Sequence, residues 1–231
     1  PISGVSFFPF FVFALDVAAF VTALPTFALI NKFIGNALSA RITSHFLIHK
    51  LWTTMGFRKK SMAELQRLSV TDFKAADKLP VAIVLDQVRS ANNVGSVFRT
   101  ADAFRVKELY LCGFSPTPPH RDIRKTALGA EEAVSWQYVK ETAIAVKQLK
   151  DLGFTVWAVE QTHGSVVLQD WQPAGPVAFV FGHEVQGVAD EVLDLVDGCI
   201  EIPQEGTKHS LNISVSAGVV LWEAYRKLGP S

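Results

Sequence analysis

The sequence IPQEGTKHSLNISVSAGVVLWEAYR, residues 202–226, joins a polar turn directly to an apolar helical pattern. The turn contains Gly206 and several polar side chains, a composition typical of loops that bind ligands. From Asn212 onward apolar residues recur at helical spacing until Gly229, and Asn212 suits the N-cap of that helix. The preceding segment CIEIP, residues 199–203, is typical of a short strand. This stretch therefore predicts a strand, a ligand-binding loop and a closing helix in succession.

Four other apolar runs are typical of strands, and four further segments have helical spacing. The predicted strands are VAIVLD (81–86), ELYLC (108–112), FTVWAV (154–159) and PVAFVF (176–181). The predicted helices are MAELQRLSVTDFKAAD (62–77), NVGSVFRTADAF (93–104) with Asn93 as its N-cap, TAIAVKQLKDLG (142–153) and ADEVLDLV (189–196). After the first helix the order is β-α-β-α-β-β-α-β-α, which predicts an α/β fold around a mostly parallel sheet flanked by helices.

Residues 1–54 differ in composition from the rest of the chain. The segment VSFFPFFVFALDVAAFVTALPTFALI, residues 5–30, has the length of a membrane span, but Asp16, Pro9 and Pro25 interrupt it. Three interpretations stay open: sequence upstream of a true start at Met55 or an added segment, a membrane anchor, and a packed helical hairpin. The first is favoured, which makes a membrane role a minor expectation.

Charge does not identify a partner by itself. The chain has 22 basic and 22 acidic residues, and residues 1–54 hold Lys32, Arg41 and Lys50 against Asp16. The remainder therefore carries 19 basic and 21 acidic residues, which gives no bulk attraction for nucleic acid. The basic residues are clustered at 58–60 and 120–125, and each cluster is also compatible with a merely solvated face.

Several familiar sites are missing from the sequence. There is no G-x-x-x-x-G-K-[ST], no G-x-G-x-x-G after the first strand and no G-x-S-x-G, so common nucleotide and hydrolase sites are not indicated. The six histidines lack the spacing of a metal centre, so no metal is predicted. Cys112 and Cys199 are expected to be buried thiols rather than a disulfide.

Three polar, glycine-containing turns follow predicted strands. They begin after Asp86, Phe181 and Ile202. Ligands bind at the carboxyl ends of strands in parallel sheets, so the three turns should meet at one edge if the strands are neighbours.

The sequences of these three turns resemble the motifs of a known protein family. The segments NNVGSVFRT (92–100), FGHEVQG (181–187) and IPQEGTKHSLN (202–212), in this order, resemble the three motifs of the SpoU (TrmH-like) branch of the SPOUT RNA methyltransferases. The resemblance covers about residues 62–228 and makes 55–231 a SPOUT methyltransferase domain. It implies an α/β-knot fold with a C-terminal trefoil knot, S-adenosylmethionine as cofactor, a homodimer, and methylation of a ribose 2′-hydroxyl in tRNA or rRNA.

The resemblance also implies site residues. The implied catalytic residues are Asn93, Arg99, Glu184, Ser210 and Asn212. The implied cofactor-binding residues are Glu160, Gly182, Gly187, Ile202, Pro203 and Leu211. Since a 2′-hydroxyl is a weak nucleophile, Arg99 is expected to grip the RNA backbone and help to activate it. The alternatives are a surface pair of Arg99 with Asp102, an exposed turn for Glu184, and capping for Asn93 and Asn212.

Other expectations concern the RNA and the assembly. Arg121, Arg124 and Lys125 are predicted to contact RNA phosphates. The closing helix, through Val219, Val220, Trp222 and Tyr225, is predicted to form the dimer face. The short segment from Met55 to Pro80 leaves no room for a separate RNA-recognition domain, which favours tRNA over rRNA. The enzyme is expected in the cytoplasm, and the rival function is an RNA-binding protein of the same fold without catalysis.

Overall fold

The computed structural model describes residues 57–230, so the predictions for residues 1–54 lie outside the described part of the chain. Its strands are β1 Leu79–Asp86, β2 Val106–Cys112, β3 Trp136–Val139, β4 Thr155–Val159, β5 Val166–Val167, β6 Val177–Phe181 and β7 Gly198–Glu201. Its helices are α1 Val70–Ala75, α2 Ala91–Ala103, α3 Arg121–Ala127, α4 Ala130–Ala133, α5 Thr142–Asp151, α6 Asp190–Leu193 and α7 Ile213–Leu228. None of these helices is long and apolar enough to cross a membrane.

All seven strands form one parallel sheet in the order β3-β2-β1-β6-β4-β7-β5. The central strands β1 and β6 are almost wholly buried, as expected for strands covered on both faces. Helices α2, α3, α4 and α7 contribute to the hydrophobic core on one face, and α5 and α6 to the core on the other. The α/β prediction is therefore confirmed.

The five predicted strands are all present, with ends shifted by at most a few residues. Two strands were missed. β3 has only four residues at the edge of the sheet, and β5 has only two, so neither is long enough to show a periodic pattern. The expectation that the three turns follow neighbouring strands is only partly right, because β4 lies between β6 and β7.

Two helix predictions need correction, and helix α3 was missed. The second helix begins at Ala91, because the Ser90 side chain caps it by accepting from the Asn93 N–H. Asn93 is therefore inside the first turn and is not the N-cap. No element was predicted for the basic cluster at 120–125, which forms α3, with His120 at its N-cap. In the predicted helix at 62–77, only Val70–Ala75 is α-helical.

Gly95 allows α3 to pack closely on α2. A β-carbon at this position would lie 2.1 Å from Thr126 Oγ1 and 2.4 Å from the Ile123 carbonyl oxygen. The Thr126 hydroxyl also donates to the Asn92 carbonyl oxygen over 3.0 Å. The glycine of the first motif therefore fixes the basic helix against the helix that carries Arg99.

The closing helix is partly as predicted. Asn212 caps α7 by accepting from the Ser214 N–H, and Gly229 follows its last residue. Val220 is fully buried in the chain's own core, so its assignment to a dimer face is wrong. Val219 and Trp222 remain 38% and 53% exposed.

Candidate active site

A cleft of about 480 Å³ lies at the carboxyl edge of the sheet, where β4, β6 and β7 end. Among the residues expected to bind the cofactor or act in catalysis, it is lined by Glu160, Gly182, Glu184, Gly187, Ile202, Ser210, Leu211 and Asn212. Pro203 lies between two lining residues, Ile202 and Gln204, without lining the cleft itself. Asn93 and Arg99 lie outside the lining.

The loop at 182–188 is folded back on itself. His183 and Gly187 exchange two backbone hydrogen bonds of 2.9 Å, and Gly187 has a φ of +73°. A β-carbon on Gly182 would lie 2.1 Å from the Gly187 carbonyl carbon and 2.2 Å from the Val188 nitrogen. Because these are backbone atoms, only glycine fits at position 182.

The His183 side chain belongs to this loop. Its Nδ1 accepts hydrogen bonds from the Val185 and Gln186 N–H groups at 3.1 and 3.2 Å. This side chain therefore stabilises the turn.

Two carboxylates tie the end of the same loop to the sheet. Glu160 Oε2, at the end of β4, accepts from the Val188 N–H over 3.1 Å. Asp86, only 1% exposed at the end of β1, accepts from the Ala189 N–H over 3.2 Å and from the Thr142 hydroxyl. Glu160 thus supports the cleft wall from the strand between β6 and β7, and its contact with a cofactor stays a prediction.

Glu184 connects the second motif to the first. Its two oxygens accept from the Arg89 N–H at 3.1 Å, the Ser90 N–H at 3.0 Å and Asn93 Nδ2 at 3.2 Å. Burial acts to raise the pKa of this carboxyl, but hydrogen bonds from Arg89, Ser90 and Asn93 outweigh it and leave the pKa below its ordinary value. Glu184 is therefore not an unattached turn residue.

Asn93 extends this network to the third motif. Its Oδ1 accepts from Asn212 Nδ2 over 3.2 Å, while Asn212 Oδ1 accepts from the Ser214 N–H and hydroxyl. Glu184, Asn93 and Asn212 thus form one chain of hydrogen bonds through all three motifs. Glu184 therefore reaches the third-motif loop through Asn93.

The third-motif loop supplies the other wall of the cleft. Ser210 and Leu211 line it, and Leu211 is 39% exposed. Gln161 Nε2 donates to the His209 carbonyl oxygen over 2.8 Å, which links this loop to the end of β4. Gln161 was missed because nothing in its local sequence indicates a contact with a residue 48 positions later.

Arg99 lies two turns along α2 from the Ala91 start, on the exposed surface. Within residues 57–230 its side chain makes no ion pair or hydrogen bond, so the alternative pairing with Asp102 is not formed. It follows Gly95 by one helical turn, on the α2 face that α3 contacts. Arg99 is therefore a free cation beside the basic helix and separate from the cleft lining.

The predicted RNA-contacting residues are brought together on α3. Arg121, Arg124 and Lys125 are all exposed, and the Arg124 side chain lies 3.8 Å from Glu131. Between residues 57 and 230, no group of three or more histidine, cysteine or acidic side chains is arranged to hold a metal ion. Burial raises the pKa of the Cys112 thiol to about 12, and Cys199 is only partly buried.

The pH response of the Glu184 network is testable. Because the folded-state pKa lies below the ordinary 4.5, the ionised carboxylate stabilises the fold above that pH and loses this effect as pH falls through the lowered pKa. Glu184→Gln places an amide N–H group where the carboxylate accepted from Arg89, Ser90 and Asn93. The variant should therefore have a Tm lower by a few degrees at pH 7, since each kcal/mol of lost stability lowers Tm by about 2–4 °C. The deficit relative to wild type should shrink below about pH 4.5.

Thermal unfolding monitored by circular dichroism at a series of pH values measures this difference. Glu191→Gln, at an exposed position of α6, is the matched charge control and should leave Tm unchanged. A Glu184→Gln deficit that stays constant down to pH 3 would contradict the assigned network.

Comparison with known proteins agrees with this geometry. The family model described as "SpoU rRNA Methylase family" matches residues 80–222, a range that contains all three loops. The chain is 30% identical over 168 residues to a tRNA (guanosine(18)-2′-O)-methyltransferase of Thermus thermophilus, which covers 73% of this chain and 86% of that protein. It is 32% identical over 172 residues to a 23S rRNA (guanosine-2′-O-)-methyltransferase of Vibrio parahaemolyticus, covering 74% and 68% respectively.

Two solved structures of RNA-modifying enzymes are also similar to this chain. The TrmH/SpoU tRNA modifying enzyme of A. aeolicus matches with a TM-score of 0.62 and 26% identity over 68% of this chain and 81% of that one. An AdoMet-bound rRNA methyltransferase from Sinorhizobium meliloti matches with a TM-score of 0.62 and 28% identity, covering 71% and 62%. The motifs, the fold and these similarities lead to one conclusion: the chain belongs to the SpoU rRNA methylase family.

Proposed function

We propose that this protein transfers a methyl group from S-adenosylmethionine to a ribose 2′-hydroxyl of a structured RNA. The observation that carries the proposal is the hydrogen-bonded chain Glu184–Asn93–Asn212, which connects the first motif to the two loops that line the cleft. Family membership supports the reaction class, since the relatives described above are named as 2′-O-methyltransferases of tRNA and 23S rRNA.

The cleft fits the cofactor in size and chemistry. Its volume of about 480 Å³ is in the usual range for a small-molecule site, roughly 300–1,000 Å³. Ile202 and Leu211 offer apolar surface for an adenine ring, and the glycine loop at 182–187 offers backbone groups for polar contacts. When bound, S-adenosylmethionine supplies a methyl carbon on a positively charged sulfur, which an oxygen nucleophile attacks.

The chain's own residues prepare that nucleophile. On transfer, the 2′-oxygen would take the methyl carbon, the cofactor would leave as its neutral thioether, and the hydroxyl proton would pass to solvent. We assign Arg99 to an RNA phosphate beside the reacting sugar, where its permanent positive charge lowers the energy of the developing alkoxide. Ser210 and Asn212 provide polar groups on the cleft wall at the start of α7. Glu184 keeps Asn93 in position, and Asn93 in turn keeps Asn212 in position.

The RNA should approach along α3. We propose tRNA as the substrate, since the chain spans more of its tRNA-modifying relative than of its 23S rRNA-modifying relative, 86% against 68%. Its phosphates would contact Arg121, Arg124 and Lys125, which share a helix packed beside Arg99.

This contact predicts a salt effect. Replacing Arg121 and Lys125 together by alanine should weaken RNA binding. The plot of the logarithm of the association constant against the logarithm of the salt concentration has a negative slope, and its magnitude should fall by roughly 1.4–1.8, since each phosphate contact contributes about 0.7–0.9. Filter binding at several salt concentrations measures the slope. Lys147→Ala, an exposed lysine of α5 on the other face of the sheet, is the control and should leave it unchanged. Equal slopes for the double variant and wild type would refute the contact.

We also propose that the enzyme is a cytoplasmic homodimer, joined through α7. Val215, Val219 and Trp222 are 51%, 38% and 53% exposed, more apolar surface than a helix in contact with water alone usually presents. Trp222→Glu should then give a monomer in sedimentation equilibrium. Fractionation of cells that express the full chain tests the location.

Methyl transfer from tritium-labelled S-adenosylmethionine to bulk tRNA tests the reaction itself. Incorporation that resists DNA removal and disappears after RNA digestion supports the proposal, and mapping of 2′-O-methyl positions identifies the nucleotide. RNA binding without transfer would favour the rival function, a catalytically silent RNA-binding protein of the same fold.

A further inference from the structure

A second pocket lies beside α3. It has a volume of about 290 Å³ and is lined by Pro118, Pro119, His120, Ile123, Arg124, Glu131, Glu132 and Trp136. It is formed by the loop after β2, helices α3 and α4, and edge strand β3. None of its lining residues belongs to the cleft at the carboxyl edge.

The carboxylate of Glu131 is the unusual feature of this pocket. Its side chain is 7% exposed, and Oε2 accepts from the Gly129 N–H over 3.0 Å. Oε1 is buried and has no hydrogen-bond partner within residues 57–230. The nearest cation is Arg124 Nε at 3.8 Å, which is beyond hydrogen-bond distance.

An acceptor left without a donor in a buried position is costly, and Glu131 Oε1 has lost water while gaining only the Arg124 cation 3.8 Å away. The Arg124 side chain that approaches it is 73% exposed and so can turn outward. Glu131 Oε1 would then face the pocket as an acceptor for one N–H group of a ligand.

The other lining groups narrow the choice of ligand. Trp136 offers an aromatic ring, and the two prolines and Ile123 offer flat or apolar surface. A phosphate is disfavoured here, because Glu131 and Glu132 are both negative. A planar, neutral group with an N–H donor fits best, and unstacked nucleobases of RNA have this chemistry.

The second pocket lies where the proposed RNA substrate could reach it. The cations Arg121 and Lys125 lie on α3 outside the pocket, and β3 is three strands from β6, about 14 Å across the sheet. A nucleotide near the reacting one can span that distance. We propose, resting on the RNA-modifying function above, that this pocket holds one unstacked base of the substrate, stacked on Trp136 and donating an N–H hydrogen bond to Glu131, while Arg124 turns out to the flanking phosphate.

Glu131→Gln separates this proposal from general electrostatics. The amide oxygen can keep the Gly129 contact, and the amide nitrogen then replaces the acceptor with a donor. Removing a negative charge should by itself tighten RNA binding, whereas losing the base contact should weaken it. We expect the KM for an unmodified tRNA transcript to rise about tenfold or more. The kcat, the Kd for S-adenosylmethionine and Tm should stay near wild type.

The controls make the outcome decisive. Glu191→Gln removes the same charge on the other face of the sheet and should leave KM unchanged or lower. Trp136→Phe keeps an aromatic ring and should bind RNA better than Trp136→Leu by about tenfold. A Glu131→Gln KM that is unchanged or lower overturns the proposal, as does a rise matched by losses in Tm and cofactor affinity.

Failure of the proposed function is recognised separately, because wild-type protein would then transfer no methyl group. Filter binding of the same transcript to the same variants decides the pocket in that case: a tenfold weaker Kd for Glu131→Gln supports it, and an unchanged Kd refutes it.

Discussion

Replacing Arg99 by alanine should lower kcat for RNA methylation by about 10²- to 10³-fold, the usual cost of removing one group that stabilises a developing oxyanion. Its side chain makes no ion pair or hydrogen bond within residues 57–230, so the fold does not depend on it. Tm and the Kd for S-adenosylmethionine should therefore change little. Single-turnover transfer to a tRNA transcript measures the loss of rate, and calorimetry measures the Kd for S-adenosylmethionine.

Arg99→Lys is the matched variant. It keeps the positive charge but loses the planar, bidentate grip on a phosphate, so most of the loss should remain. A lysine variant with wild-type kcat would show that charge alone matters. An alanine variant within threefold of wild type would remove Arg99 from the reaction.

Gly182→Ala should abolish the cofactor site. The new β-carbon would lie 2.1–2.3 Å from backbone atoms of Gly187 and Val188, so the loop at 182–188 must open to admit it. Overpacking of this kind costs about 1–3 kcal/mol in a rigid setting. We expect the Kd for S-adenosylmethionine to rise at least about a hundredfold, since the cleft wall itself is displaced. Isothermal calorimetry measures this.

Two other glycines give a graded comparison. Gly206→Ala, in the third-motif loop, meets no atom within 4 Å and should bind the cofactor as wild type does. At Gly187 the nearest atom is the Glu160 carboxylate at 2.3 Å, a side chain that can move, but the φ of +73° strains any other residue there, so the Gly187→Ala affinity should lie between those of the other two variants. Equal cofactor affinity for the Gly182 and Gly206 variants would refute the described loop. Circular dichroism checks that each variant is folded.

The sequence predicts the sheet better than it predicts the order of the strands. β1 and β6 are continuous apolar runs because they are buried on both faces, so their pattern is visible locally. The insertion of β4 between β6 and β7 is set by packing across the whole domain, and no local pattern records it. The trefoil knot stays a prediction from family resemblance for the same reason.

In the site, too, some features follow from local sequence and others from contacts between distant residues. The residue types of the three turns predicted a ligand site, and two of these turns, the second and the third, line the cleft. The start of α2 was misplaced because Ser90 and Asn93 are both good N-cap residues, and local propensity does not decide between them. The decision depends on Glu184, whose carboxylate accepts from Ser90 and from the Asn93 side chain. That contact spans more than ninety residues and is invisible to short-range rules.

The Glu184–Asn93–Asn212 chain also has a consequence for biosynthesis. Asn93 meets partners 91 and 119 positions later in the chain, so its bond to Glu184 cannot form until the 182–188 loop has left the ribosome, and the complete network cannot form until the segment around Asn212 has done so. Contacts between distant residues slow folding, because a long loop must close before they stabilise anything. A nascent polypeptide should therefore acquire its sheet before its catalytic apparatus, and stalled or truncated chains should have no methyl-transfer activity.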